Sequence, residues 1–177
     1  MNPRTLEILA CLDTQMADFR AAIDVVPAAR RDVRLSPDRW SVAENVEHVA
    51  LTERLITKAC AKQLAAAREA GLPAETDTTS ILSTMPVERV VTGRVTRLDA
   101  PVRLVPTGID AETAWRDLEA ARGAFREFVA SCDGLALGQV SFPHPALGPL
   151  DMYQWLLFVA GHQARHAAQI RELAQQL

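Results

Sequence analysis

The chain has 177 residues, 49% of them hydrophobic, a formal charge of -3 and a pI near 5.8. That is enough apolar material for one domain spanning 1–177 with a substantial core. The acidic balance, with Arg30–Arg31 as a basic run too short to matter, excludes a phosphate-driven nucleic-acid surface, and no apolar stretch near the C-terminus approaches the roughly 20 residues of a membrane span.

From Pro3 to about Val26, Leu6, Leu9, Leu12, Met16, Phe19, Ile23 and Val26 recur at steps of three and four, which predicts a first helix with those residues inward. Three aspartates inside this pattern and no small-residue cleavage site exclude a secretory signal, so the mature chain is expected to begin near Met1. Residues 27 to 40, with Pro27, Ser36 and Pro37 among charges, read as a loop. Ser41 and Glu44 have the spacing of a capping box, which opens a second helix running to about Ala70 and stopped by Gly71 and Pro73. Val42, Val46, Val49, Ile56 and Cys60 form its apolar band, and His48 projects from within a broad inward face.

Residues 74 to 108 are rich in threonine and broken by Pro86, Pro101 and Pro106. An irregular excursion is expected, with one short helix near Ile81 and weak alternation over 87 to 104. A connection of this length in a small domain serves more often as a lid or binding wall than as a plain link. Asp110 then caps a third helix to about Cys132, with Trp115, Leu118, Ala121, Phe125, Phe128 and Val129 inward and Gly134 as the stop. A second loop, 135 to 149, holds His144 between two prolines. Asp151 with Gln154 forms another capping box and opens the last helix. There Met152, Trp155, Val159, His162, His166, Gln169 and Leu173 alternate steps of three and four in one seam. Four long amphipathic helices predict an all-α four-helix bundle.

Cys11, Cys60 and Cys132 are odd in number, widely spaced and free of any C-x-x-C pair, which suits buried thiols in a reducing cytoplasm. The histidines are more informative. One isolated histidine on an apolar face is ordinarily satisfied by a carboxylate, carbonyl or water. His162 and His166, one turn apart in the middle of a seam, with His48 inward on another helix, instead favour a shared divalent metal bound through neutral imidazoles.

Rival motifs fail by residue. Gln163 stands where an H-E-x-x-H protease needs glutamate, and the residues three before His48, His162 and His166 are Asn45, Val159 and Gln163 rather than the glutamates of a di-iron bundle. Three imidazoles do not choose among zinc, nickel, iron and manganese. Asn45, Thr52 and Gln169 are placed to orient ring N–H groups, and Glu53 is a weaker candidate better explained as a snorkelling or interhelical carboxylate. His144 reads as a loop-fixing residue rather than a fourth ligand. Trp40 and Trp155 read as core, with a pocket wall as the alternative.

The segments WSVAENVEHVALTE at 40 to 53 and HPALGPLDMYQWLLFVAGHQARHAAQI at 144 to 170, in this helix order, resemble the DinB-like (damage-inducible) superfamily of metal-binding four-helix bundles. The resemblance covers essentially the whole chain and places the family's metal triad on His48, His162 and His166 without departure. It implies a bundle with crossover connections, frequent homodimers, and activities that include metal-dependent transfer of low-molecular-weight thiols and hydrolysis. The expectation is thus a metal-dependent enzyme acting on a small molecule, without nucleic-acid or membrane partners. The alternative is a noncatalytic, stress-related bundle whose metal is structural or sensing and whose output is a dimer surface.

Overall fold

The structure, a computed structural model, describes residues 1–85 and 100–177. It is all-α in character: α1 (Pro3–Asp24), α2 (Val42–Glu69), α3 (Ala111–Ser131) and α4 (Met152–Ala174) form a four-helix bundle. The helix ends follow their local chemistry. Ser41 and Glu44 close a reciprocal capping box at α2, Asp151 and Gln154 do the same at α4, and the Asp110 carboxylate accepts from the Glu112 and Thr113 amides at α3. Gly71 and Gly134, just beyond α2 and α3, have φ of 86° and 74°, a left-handed conformation that lets the chain turn out of a helix.

Helix α1 packs on α4 and, less extensively, on α3, while α2 packs on α3 and α4. Consecutive helices α1 and α2 therefore lie across the bundle from each other, as do α3 and α4, and their connections must cross over. This arrangement makes α2 and α4 neighbours, which brings His48 to the histidines of α4.

The core divides into two apolar clusters stacked along the bundle. One contains Ile8, Leu12, Ile56, Leu64, Phe125, Val129 and Leu156, and the other contains Phe19, Val26, Val46, Leu118 and Ile170. Between them lies a polar layer in which Arg122 of α3 touches all three other helices. Its guanidinium donates to both oxygens of Glu53 on α2 at 2.7 and 3.0 Å, to the Leu12 carbonyl on α1 at 2.7 Å, and to Gln163 Oε1 on α4 at 2.8 Å. Glu53 is 1% exposed and Arg122 4%, so the charges are compensated almost entirely by each other and by these hydrogen bonds.

Several expectations need correction. Leu6 is not inward but 52% exposed, because the buried stripe of α1 runs through Thr5, Ile8, Leu12, Phe19, Ala22 and Ile23. The helix also ends at Asp24, two residues early, ahead of Pro27. Loop 135–149 contains an antiparallel hairpin, Ser141–His144 (β1) paired with Gly148–Asp151 (β2), which carries the chain directly into α4. The helix expected near Ile81 is a single 3-10 turn, Leu82–Thr84, and a second such turn occupies Val102–Leu104. Most of the alternation over 87 to 104 lies outside the described residues. The α4 seam is too narrow a description: residues 155 to 161 are buried all round.

Candidate metal centre

Burial explains how α2 presents His48. Residues 41 to 50 are buried on every face, with Glu44 and Glu47 included, because α3, α4 and the incoming segment 104–109 cover them. His48 and His166 are buried, and His162 retains some accessible surface. The three rings sit 4.6 to 5.2 Å apart between centroids. Each offers a ring nitrogen, and these nitrogens lie within 4.8 Å of one another; among the described residues this is the cluster of three His, Cys, Asp or Glu side chains able to hold an ion.

The hydrogen bonds behind the rings set their tautomers. His48 Nδ1 lies 2.8 Å from the Leu104 carbonyl, which only accepts, so Nδ1 carries the proton and Nε2 presents its lone pair. His166 Nδ1 lies 2.8 Å from Asn45 Oδ1. The amide orientation of Asn45 follows from its Nδ2 donating to the Ser41 carbonyl at 2.8 Å, so Oδ1 is free to accept from His166. Two of the three imidazoles are thus held from behind through Nδ1 with Nε2 left to face the cluster, the arrangement typical of metal-binding histidines.

The front of the site is electron-rich. His48 Nε2 and His162 Nε2 face each other at 3.3 Å, long for a good hydrogen bond. That spacing is close to the edge of a tetrahedron with metal–nitrogen bonds of roughly 2.0 to 2.1 Å, so the donor set fits a divalent ion. Removal from water holds all three rings neutral. It lowers the pKa of His48 despite the opposing bond to Leu104, and it acts with His48 on His162, and with His162 and His48 on His166, to push those two well below the ordinary imidazole value.

The carbonyl behind His48 is itself anchored. Glu47, the neighbour of His48 on α2, accepts from Thr107 N at 2.8 Å, Thr107 Oγ1 at 2.7 Å, Gly108 N at 3.0 Å and Ile109 N at 3.4 Å. Burial works to raise its pKa, but these donors outweigh it and hold the carboxyl below its ordinary value. One turn of α2 therefore contributes both a site imidazole and the carboxylate that fastens the segment behind it. Sequence reasoning missed Glu47, and its only signal was a carboxylate in a stretch of helix with no polar face.

The remaining candidates separate. Asn45 serves His166 and not its own helix neighbour. Gln169 contributes a side-chain bond that favours the charged form of His166 and is outweighed by burial. Glu53 is interhelical, bound to Arg122. Thr52 Oγ1 has no hydrogen-bond partner among the described residues. His144 fixes its hairpin turn: Nδ1 accepts from the Ala146 and Leu147 amides, both at 3.1 Å, and its ring packs on Trp155 and Phe158. Trp40 walls the site, with its ring 4.7 Å from His48 and 6.5 Å from His166, whereas Trp155 is core, stacked on Phe142 with its indole N–H donating to the Phe142 carbonyl. Burial pushes the Cys60 and Cys132 thiols up to about 12 and about 11, which makes them poor nucleophiles.

Two adjacent helices of the bundle bring three imidazoles together, two of them locked from behind, an arrangement compatible with a metal site built into a helix interface. The sequence profile of the DinB superfamily matches residues 11–170, a span that includes all three histidines, and the chain belongs to that superfamily. No curated protein and no solved structure gives a significant match.

Proposed function

We propose that the protein is a divalent-metal-dependent enzyme acting on a small molecule, of the thiol S-transferase or hydrolase type, with His48, His162 and His166 as the metal ligands. The observation that carries this reading is the convergence of three neutral imidazole nitrogens in a cluster that, among the described residues, contains no carboxylate or thiolate to neutralise a cation. A divalent ion there, whether zinc, nickel, iron or manganese, supplies Lewis acidity undiminished by anionic ligands. Leu104 and Asn45 hold the Nδ1 protons of His48 and His166, and Trp40 keeps water from one side of the rings.

The surrounding carboxylates narrow the chemistry. Glu53 is committed to Arg122, and Glu47 to the amides of 107 to 109, so neither is free to act as a general base. A low-molecular-weight thiol suits such a site, because a thiol held on the metal would ionise without a protein carboxylate to take its proton. A purely structural metal fits less well, since the two apolar clusters and the Arg122 layer hold the helices together independently of the histidines.

Purified, metal-loaded protein assayed against a panel of cellular thiols and small electrophiles should show turnover that His48→Ala, His162→Ala and His166→Ala each abolish. No turnover with any pair, or turnover that survives these substitutions, contradicts the proposal.

A further inference from the structure

The triad has a positive charge for a neighbour. Arg165 stands on α4 three residues beyond His162 and immediately before His166, a spacing that places it next to His162 on the helix surface. Its charge reaches both rings and opposes their protonation. The other described arginines that are not exposed are all paired: Arg4 with Glu75 and Asp77, Arg31 with Asp24, Arg122 with Glu53 and Arg126 with Asp13. Arg165, half-buried, has neither an ion pair nor a hydrogen bond among the described residues.

Such a placement works against a metal site. Three neutral imidazoles leave a divalent ion its full charge, and a nearby guanidinium repels it. The carboxylates that approach the triad do not offset this. Glu53, which meets His162 at the interface of α2 and α4, is paired with Arg122, and Glu47 is spent on the amides of 107 to 109. An anion that touches both the metal and the guanidinium removes the repulsion. The approach is from solvent, because His162 is the triad member that keeps accessible surface and Arg165 beside it keeps some too.

We propose that Arg165 is a ligand-binding residue whose guanidinium holds the carboxylate of a small molecule, the other end of which, a thiolate or an oxyanion, binds at the triad. The planar fork of guanidinium donors matches a carboxylate in two parallel hydrogen bonds. The assignment deepens the proposed function and rests on the triad holding a metal, which the test checks separately.

Wild type, Arg165→Gln and Arg165→Lys are loaded with cobalt(II) and titrated, followed by the visible spectrum, with two pairs of probes. The first pair is 3-mercaptopropionate and 2-mercaptoethanol, and the second is succinate and acetate. In wild type the member with the extra carboxylate should bind about tenfold more tightly in at least one pair, a preference that falls to about twofold or less in Arg165→Gln. Arg165→Lys, which keeps the charge and loses the fork, should retain part of it. A preference confined to the thiols assigns the carboxylate to a thiol cosubstrate, and one confined to the acids assigns it to an oxygen-bound substrate. Arg165→Gln should bind cobalt as tightly as wild type or a few-fold more tightly, because a repelling charge has gone. Weaker cobalt binding, or a melting temperature lower by several degrees, overturns the proposal by showing that the guanidinium holds the site or the fold together. No preference in wild type, or one unchanged in Arg165→Gln, overturns it while leaving the triad intact; a wild type that takes up no cobalt removes the metal reading and the Arg165 assignment with it.

Discussion

Residues behind the imidazoles do as much to define the site as the imidazoles themselves. Asn45 spends its amide N–H on the Ser41 carbonyl and its oxygen on His166 Nδ1, so replacing it frees the ring to rotate and to change tautomer. Asn45→Ala is expected to weaken metal affinity by about 10- to 100-fold with the fold intact, measured by competition against a chromophoric chelator. Unchanged affinity would show that the bond does not position His166. Glu47→Gln tests the same logic one step further out. It keeps the shape but weakens the cradle for 107–109, and a several-fold loss of metal affinity is expected in the same titration. The triad was legible because two histidines four apart in an apolar seam form a local pattern. Asn45 was legible as a neighbour, but not its partner, since helical spacing pointed to His48 and the bond goes to another helix. Glu47 and the Leu104 carbonyl were not legible, because their meaning depends on where a distant segment returns.

At the scale of elements, the Arg122 layer is where the four helices meet. Removing the guanidinium leaves Glu53 buried without its cation and the Leu12 carbonyl and Gln163 without a donor. Arg122→Met is expected to destabilise the protein by about 3 to 5 kcal/mol in urea unfolding, and adding Glu53→Leu should recover much of it, since burial of an unpaired charge dominates the loss. A single substitution costing under about 1 kcal/mol would contradict that account. Helix boundaries were readable because the capping boxes at Ser41 and Asp151 are local chemistry. The layer itself was not, because Glu53, Arg122 and Gln163 each look like one ordinary polar residue on an amphipathic helix. The available signal was that Glu53 and Arg122 each interrupt an apolar stripe with opposite charges. The hairpin at 141–151 escaped for a related reason, as two prolines beside His144 argue for a loop, while pairing of only four residues suffices to form it.

For the whole molecule, the neutral histidines tie stability and metal binding to pH. Their folded pKa values lie below the unfolded value near 6.5, so the unfolded chain takes up protons first as pH falls. Their contribution to metal-free stability is complete above about 6.5 and is lost progressively as pH falls from there through the folded values. Urea midpoints of wild type should decline over that window more steeply than those of a His162→Ala/His166→Ala variant; parallel curves would show that these rings are not held neutral by the fold. Metal affinity should likewise fall on acidification, starting below the ordinary imidazole range because burial keeps the ligands deprotonated. The most direct measurement is the metal content of tag-free protein purified without chelator. About one divalent ion per chain in wild type, absent from His48→Ala, His162→Ala and His166→Ala, is the expected result. Protein free of divalent metal even after incubation with zinc, nickel, iron and manganese salts, or a His162→Ala variant that retains the wild-type complement, would contradict it.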